Sequence, residues 1–173
     1  SLPLEAALLA SDTASGLLSP DFGFQRWPDF DAAAWQQLLA EAEQRRGPLQ
    51  ANLVFGSDRD RRAVELARRN AARAGIGSGI RWSQDDFARL DPPAERGTLI
   101  CNPPYGERLG DESSLQDFYR KFGDTLKQRW TGWTAWILTG NLPLAKRIGL
   151  KPSRRIVLYN GPIECRLLKF ELY

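Results

Sequence analysis

The spacing of hydrophobic residues along the chain alternates between a helical and a strand-like pattern. Apolar residues at helical spacing predict helices near the start of the chain and at 31–46, 61–74, 113–129 and 142–148. Short apolar runs predict strands at 52–56, 80–83, 98–101, 133–138, 155–159 and 164–172. Because helices and strands alternate and a tight turn joins the last two strands, we predict an α/β sheet that ends in an antiparallel hairpin.

The first helix and the loop after it carry separate expectations. The apolar face of the helix is predicted to consist of Leu4, Ala7, Leu8 and Leu9, with Ser1 as its cap. Residues 12–30 then form a long loop that is rich in glycine, proline and aromatic residues, and aromatic packing is expected to pin it. The loop also places Arg26 next to Trp27, a pair that suits contact with nucleic acid.

Acidic residues follow two of the predicted strands. Asp58 follows the first strand, and Asp85 and Asp86 follow the second. In open α/β sheets, ligands bind at the carboxyl ends of the strands, where a carboxylate can accept hydrogen bonds from ribose hydroxyls. The same residues also suit local structure, since Asp58 or Asp60 could cap the next helix and Asp86 could belong to a polar turn. Both interpretations remain open.

The apolar run at 98–101 predicts a buried strand, which ends in Asn102-Pro103-Pro104-Tyr105. Proline cannot donate a hydrogen bond to a sheet and disfavours helix in the residue before it, so the chain leaves the sheet stiffly at Asn102. The Asn102 carboxamide and the backbone carbonyl after it can both accept hydrogen bonds from one exocyclic amino group, and the Tyr105 ring can stack on a base. The alternative is an ordinary loop. The pattern predicts a site for a planar amine.

Composition restricts the chemistry and the setting. The 173 residues suffice for one domain, and the net charge of +3 permits a nucleic-acid partner without requiring one. The absence of histidine excludes histidine-dependent catalysis and histidine-ligated metals, and no metal site is expected. Cys101 and Cys165 lie in apolar runs and form no CxxC pair, so both are expected to be reduced, buried thiols. No apolar run is long enough to span a membrane, and we expect a cytoplasmic protein.

Three motifs resemble those of the RNA guanine-N2 methyltransferases that carry an upstream THUMP RNA-binding domain. The motifs are Gly-Ser-Asp-Arg-Asp at 56–60, Asn-Pro-Pro-Tyr-Gly-Glu-Arg-Leu at 102–109 and Asn-Gly-Pro-Ile-Glu-Cys at 160–165. The bacterial members that act on 23S ribosomal RNA are the most similar. The resemblance covers nearly the whole chain and implies a Rossmann-like fold that depends on S-adenosylmethionine. It also implies an RNA substrate and a THUMP-type domain upstream.

Asn102, Pro103 and Tyr105 are the residues that the resemblance places in catalysis. A guanine would leave the RNA and stack on Tyr105, while Asn102 and the Pro103 carbonyl accept hydrogen bonds from its N2 amino group. These two acceptors would hold the amine in line with the methyl group and offset its developing positive charge. No general base is expected. Arg108, in the glycine-flanked loop at 106–110, is expected either to contact phosphate or to brace the loop.

The resemblance assigns further residues to the cofactor. Asp58 would bind the ribose hydroxyls of S-adenosylmethionine, and Asp86 would accept a hydrogen bond from its adenine amino group, with Asp85 as the alternative. Phe87 would cover the adenine ring. Glu5, on the first helix, matches an acidic residue beside the cofactor, with an ordinary solvated glutamate as the alternative. Asn102 would also lie against the cofactor.

The start of the chain suggests a fragment. The sequence has no methionine and opens directly in a helical pattern. We therefore expect residues 1–173 to be a methyltransferase domain without its first strand and without the glycine-rich loop that cradles the methionine part of the cofactor in this family. The chain alone is expected to bind S-adenosylmethionine weakly or not at all.

Four other functions are compatible with the same motifs. They are DNA adenine-N6 methylation, tRNA guanine-N2 methylation, protein glutamine methylation, and RNA binding by a non-catalytic remnant. Methyl transfer to DNA, RNA or protein distinguishes the first three, and RNA retention without transfer identifies the fourth.

Overall fold

The computed structural model describes residues 2–19, 21–105 and 112–173, with the backbone alone at residue 112. The chain divides into two compact units, residues 1–85 and residues 86–173. The predicted cap Ser1 and the loop at 106–110, which contains Arg108, lie outside the described residues. Within the described ranges, no helix is both long enough and apolar enough to cross a membrane.

The first unit combines helices with a two-stranded parallel sheet. Its main elements in chain order are α1 (Leu2–Ala10), α2 (Ala32–Arg45), β1 (Val54–Asp58), α3 (Arg61–Arg73) and β2 (Ile80–Gln84). Val54 lies opposite Ile80 and Asp58 lies opposite Gln84. The hydrophobic pattern predicted all five elements, but it placed β1 two residues too early, at 52–56. As a result Asp58 is the last residue of β1 rather than a residue beyond it.

Acidic side chains cap two of the helices in this unit. Asp31 accepts a hydrogen bond from the Ala33 N–H at 3.0 Å at the start of α2. Asp60 accepts one from the Arg62 N–H at 2.9 Å at the start of α3. Each carboxylate satisfies an N–H group that the helix itself leaves without a partner. Asp60 is therefore the helix cap, which was one of the two interpretations open from the sequence.

A small apolar core joins α1 and α3 to the parallel strands. Its buried members are Ala7, Leu8, Val54, Ala71, Ile76 and Ile80. The prediction that Leu9 belongs to the apolar face of α1 was wrong, because its side chain is 82% exposed. Leu9 is the neighbour of Leu8, and consecutive residues point about 100° apart around a helix, so the two cannot share one narrow buried face.

Aromatic residues hold the segment between α1 and α2, as predicted. Two 3₁₀ turns, Ser15–Leu18 and Gly23–Arg26, interrupt this segment. The rings of Phe22 and Phe24 each meet the ring of Trp35 edge-on, at centroid distances of 5.6 Å and 5.1 Å. The cluster is local to α2 and its approach, since α2 has no fully buried residue.

The second unit is a four-stranded mixed sheet with two helices. After a 3₁₀ turn at Phe87–Arg89, its elements are β3 (Gly97–Cys101), α4 (Glu112–Arg129), β4 (Trp133–Thr139), α5 (Leu142–Lys146), β5 (Arg154–Asn160) and β6 (Ile163–Glu171). The strand order is β3-β4-β6-β5. Strands β3 and β4 are parallel, whereas β6 is antiparallel to both β4 and β5. The predicted antiparallel hairpin at the end of the chain is therefore confirmed.

A larger core lies between the sheet of the second unit and its helices. Its most deeply buried residues are Tyr119, Leu126, Ala135, Ile137 and Ile148. Helix α4 passes close to the end of α5 at Gly123, where an added Cβ would collide with the Ile148 carbonyl oxygen. Only glycine can occupy this position without moving one of the two elements.

Strand β3 is less buried than its apolar sequence predicted. Ile100 is 52% exposed, and Leu99 and Cys101 are half-buried. Within the described part of the chain, β3 pairs only with β4, so it forms one edge of the four-stranded sheet. Cys101 and Cys165 form no disulfide bond with each other. Cys165 is buried, as predicted, whereas the prediction that Cys101 is buried was wrong, because edge strand β3 leaves it half-buried.

Candidate active site

The predicted amine-binding residues lie together at the carboxyl end of β3. The strand ends at Cys101, and residues 102–105 continue without regular structure and without a cis peptide bond. Asn102 is exposed, whereas Pro103 is buried and Tyr105 is half-buried. The rigid, buried proline therefore anchors a chain whose preceding carboxamide faces solvent. The oxygen of the exposed Asn102 carboxamide can accept a hydrogen bond from a ligand.

The side chain of Tyr105 is held by the hairpin at the other end of the sheet. Its hydroxyl accepts a hydrogen bond from Asn160 Nδ2 at 3.0 Å and lies 3.8 Å from the Cys165 sulfur. The Tyr105 ring packs on Gly140, where an added Cβ would lie 2.9 Å from Cε2 of the ring. These contacts fix the plane of the ring, which is the property that base stacking requires.

Asn160, Cys165 and Gly140 were not predicted as site residues. Asn160 and Cys165 belong to the Asn-Gly-Pro-Ile-Glu-Cys motif at 160–165, which indicated only a family resemblance in the sequence. That motif was the available signal. Gly140 follows β4 directly, at the same edge of the sheet as residue 102, because β3 and β4 are parallel.

An open cleft of about 470 Å³ borders this site. Its lining consists of Thr139, Gly140, Asn141, Leu142, Pro143, Glu164 and Arg166. Glu164 and Arg166 form an ion pair of 2.6 Å, and Arg166 also donates to the Cys165 carbonyl oxygen at 3.1 Å. Gly140 lines the cleft and also contacts the ring of Tyr105. The cleft thus offers one carboxylate and one guanidinium next to a candidate stacking surface.

Tyr119 lies buried beneath the same strand ends. Its side chain is fully buried, and its hydroxyl has no well-formed hydrogen bond within the described ranges although Thr139 lies nearby. Burial raises the pKa of Tyr119 to about 12, and Thr139 offsets only part of this rise. A phenol with this pKa is fully protonated at neutral pH and is not a general base.

Asp86 and Phe87 take part in local structure of the second unit. Asp86 is exposed, and its carboxylate accepts from the Ala88 N–H at 2.9 Å. Phe87 is half-buried, with its ring 4.5 Å from that of Phe122 and 5.7 Å from that of Trp130. The core therefore holds Phe87 in one orientation. Its assignment to the cofactor adenine stays a prediction.

Asp58 and Glu5 both lie in the first unit. Asp58 ends β1, and its Oδ1 accepts from the Asp60 N–H at 2.9 Å. This Asx turn uses one carboxylate oxygen and leaves the other for a ligand. Glu5 is exposed on α1 and lines a cleft of about 280 Å³ with the ion pair Asp12–Arg45 at its rim. The cofactor roles of both residues also stay predictions.

The described residues contain no group of three histidine, cysteine, aspartate or glutamate side chains that could hold a metal ion. The groups available at the candidate site are accordingly a carboxamide, backbone carbonyls, aromatic rings and the Glu164–Arg166 ion pair. Such groups can hold a planar base and its amino group.

Comparison with solved structures identifies the class of protein. A crystal structure described as that of a candidate methyltransferase complexed with SAH superposes with a TM-score of 0.87 at 31% identity, covering 99% of this chain and 45% of the other. A Listeria monocytogenes structure, described as a predicted N6-adenine-specific DNA methylase, superposes with a TM-score of 0.85 at 30% identity, covering 99% and 44%. The fold is that of the Rossmann-like methyltransferases, which use S-adenosylmethionine.

Sequence comparison then identifies the family. The family model described as "RMKL-like, methyltransferase domain" matches residues 1–169, and the chain belongs to this family. A Synechocystis protein named as a candidate RNA methyltransferase is 50% identical over 171 residues, which are 98% of this chain and 44% of that protein. The ribosomal RNA large subunit methyltransferase K/L of Methylococcus capsulatus is 44% identical over 173 residues, 99% of this chain and 23% of that protein. The chain thus spans less than half the length of these relatives.

Proposed function

We propose that this domain transfers a methyl group from S-adenosylmethionine to the exocyclic N2 nitrogen of a guanine in RNA, and that the RNA is 23S ribosomal RNA. The observation that carries the proposal is the exposed Asn102 carboxamide, anchored by buried Pro103 and followed by a Tyr105 ring that Asn160 holds in place. The names of the Synechocystis and Methylococcus relatives support RNA as the substrate.

The carboxylates at the strand ends fit the polar parts of S-adenosylmethionine. Asp58, at the end of β1, retains one carboxylate oxygen for ribose hydroxyls. Asp86 likewise retains one carboxylate oxygen after its other oxygen accepts from the Ala88 N–H. Phe87, fixed by the core of the second unit, would cover one face of the adenine. Glu5, on α1 of the first unit, keeps its predicted role beside the cofactor. The cofactor supplies a methyl group bonded to a positively charged sulfur.

The residues after β3 would then activate the amine by holding it in the orientation that methyl transfer requires. The Asn102 oxygen and the Pro103 carbonyl accept the two N2 hydrogens, which directs the nitrogen lone pair toward the methyl carbon. As the new N–C bond forms and the C–S bond breaks, nitrogen gains positive charge, which the two acceptors offset. The nitrogen afterwards loses one proton to water. No histidine is required, in keeping with its absence from the sequence.

The cleft beside Tyr105 favours guanine over adenine. The N2 amine of guanine has a donor, N1–H, on one side, whereas the N6 amine of adenine has an acceptor nitrogen on each side. Glu164, which lines this cleft, presents a carboxylate that can accept from N1–H and would repel the acceptors of adenine. Arg166, paired with it at 2.6 Å, can donate to the guanine O6.

DNA adenine-N6 methylation is the second candidate function. The description of the Listeria structure supports it, because that protein is 30% identical to this chain. The two candidates use the same Asn102 chemistry and differ in the base and in the sugar. A THUMP-type RNA-binding domain elsewhere in the protein would favour RNA, and the additional length of the relatives leaves room for one.

The test of this function is product identification. The full-length protein would be incubated with methyl-labelled S-adenosylmethionine and either protein-free 23S ribosomal RNA or genomic DNA from cells that lack the gene. Digestion to nucleosides should yield labelled N2-methylguanosine from the RNA and no label from the DNA. Labelled N6-methyladenine from the DNA would establish the second candidate. RNA that is bound but not labelled would indicate a non-catalytic role.

A further inference from the structure

We propose that the open edge of β5, together with the segment before it, is the surface on which the sugar–phosphate backbone of the substrate RNA docks. The inference rests on the proposed function, since it concerns the same substrate. It assigns RNA contact to residues at a distance from the base that is methylated. The residues are Lys146, Arg147, Lys151, Arg154 and Arg155, which we name the basic strip.

The basic strip is uniformly positive. All five side chains are exposed, and none forms a salt bridge with a described carboxylate. The sequence contains no aspartate or glutamate from residue 125 to residue 163. On α4, by contrast, Arg120 is paired with Asp117 and Lys127 with Asp124. An unbalanced run of this kind attracts a polyanion.

The fold connects the basic strip directly to the candidate active site. Arg154 begins β5, and Asn160, the last residue of the same strand, donates the hydrogen bond to Tyr105. A strand of this length spans about 20 Å, at roughly 3.3 Å per residue. Within the described residues β5 pairs only with β6, so its outer edge is open along this length. RNA on the strip could therefore reach Tyr105 along one straight strand.

The end of this strand nearest the active site carries an aromatic side chain. Tyr159 is 69% exposed and immediately precedes Asn160. Bases of a single strand stack on exposed aromatic rings with little dependence on sequence. The order along β5 is therefore cations, then an aromatic platform, then the contact to Tyr105. This order suits an RNA strand whose phosphates bind the strip while one base enters the site.

The sign of the charge on the basic strip decides between RNA and two other roles for an exposed edge. Charged side chains on an edge strand hinder pairing with another sheet, and charges of either sign would serve that purpose. The strip, however, is entirely basic. A second copy of the chain offers no carboxylate along this edge to pair with the strip, because β5 contains no aspartate or glutamate. Phosphate of RNA is thus the complementary occupant.

The test neutralises three strip residues in the full-length protein, K151Q/R154Q/R155Q. A matched control, R62Q/R69Q/R73Q, removes the same charge from exposed arginines on α3. Retention of protein-free 23S ribosomal RNA on filters would be measured over a range of salt, together with KM and kcat for methyl transfer. The strip variant should bind RNA at least about tenfold more weakly, and its log–log salt dependence should be shallower by up to about three. Its kcat at saturating RNA should stay within about twofold of the wild-type value.

Three outcomes would overturn the proposal. They are wild-type RNA affinity in the strip variant, an equal loss in the α3 variant, and a strip variant that loses association with itself or with anionic vesicles instead of RNA. Matching thermal unfolding of both variants shows that each is folded. Filter binding needs no turnover, so a wild-type protein that retains RNA in a strip-dependent manner without methylating it would refute the proposed function and leave the docking surface standing.

Discussion

The hydroxyl of Tyr105 accepts a hydrogen bond from Asn160 Nδ2 at 3.0 Å, across 55 positions of sequence. The bond connects the segment after β3 to the last residue of β5, at the turn of the terminal hairpin. The bond is exposed to solvent, so water can replace a lost partner. We infer that it orients the stacking ring more than it stabilises the fold.

Removing this hydrogen bond should lower methyl transfer modestly. Y105F and N160A each delete one partner, and each is expected to reduce kcat/KM about fivefold, since one neutral hydrogen bond contributes about 1 kcal/mol. The double variant should be no worse than either single variant, because both changes remove the same interaction. Steady-state kinetics of the full-length protein on 23S ribosomal RNA would measure this cycle. Losses that multiply in the double variant would show that the two residues act separately.

Replacing Asn102 should abolish turnover. N102A removes one of the two acceptors proposed for the amine, and we expect kcat to fall at least about a hundredfold, as for loss of a group that stabilises transition-state charge. Binding of S-adenosylhomocysteine, followed by calorimetry, should change little. The control is N70A, which truncates an exposed asparagine on α3. Wild-type turnover by N102A would refute the role of the carboxamide.

Local patterns in the sequence were sufficient to predict the elements and several of the polar contacts. The acidic residues at the carboxyl ends of β1 and β2, the cap at Asp60 and the stiff exit from β3 at Asn102 each depend on neighbours within a few positions. Burial was predicted less well. Leu9 and Ile100 are apolar yet exposed. Their exposure depends on which way the helix faces and on the edge position of β3, and the hydrophobicity of a residue predicts neither of these.

The rest of the site depends on contacts between distant segments. The Tyr105–Asn160 bond, the packing of Tyr105 on Gly140 and the cleft that contains Glu164 all require the order β3-β4-β6-β5. No periodicity reports which strands become neighbours, so these features could not be derived from spacing. The Asn-Gly-Pro-Ile-Glu-Cys segment marked the region without revealing its contacts.

Glu164 should set the preference for guanine. A synthetic RNA would carry either guanine or 2,6-diaminopurine at the methylated position, since both have a 2-amino group but only guanine has N1–H. The ratio of kcat/KM for guanine to kcat/KM for diaminopurine should exceed one in the wild-type protein. In E164Q this ratio should be about tenfold lower, because the glutamine amide can donate to N1 of diaminopurine.

The control for this change is E171Q, which removes a carboxylate from the same strand. Lys169 and Thr134 lower the pKa of Glu171 through hydrogen bonds. Because these bonds hold the Glu171 carboxylate to neighbouring residues of the sheet, E171Q should not affect the choice of base. If E164Q keeps the wild-type ratio of guanine to diaminopurine, another residue reads N1. If the wild-type protein methylates neither RNA, the proposed function itself fails.

The buried phenol of Tyr119 should make the protein less stable in alkali. In the unfolded chain a tyrosine ionises near pH 10, whereas burial raises the pKa of Tyr119 to about 12 in the folded protein. Between these values the unfolded state releases the proton first, so the free energy of unfolding falls as the pH rises above about 10. At pH 11 the loss attributable to Tyr119 should be on the order of 1 kcal/mol.

Y119F should remove this part of the alkaline loss. At neutral pH it should leave stability unchanged or raise it by up to about 1 kcal/mol, because the hydroxyl it deletes is buried without a well-formed hydrogen bond in the described structure. Urea denaturation of the full-length protein at pH 7, 9, 10 and 11 would measure the difference, with Y173F as the control because Tyr173 is 94% exposed. If Y119F and the wild-type protein lose stability in parallel up to pH 11, Tyr119 titrates normally and its hydroxyl must reach water or a partner.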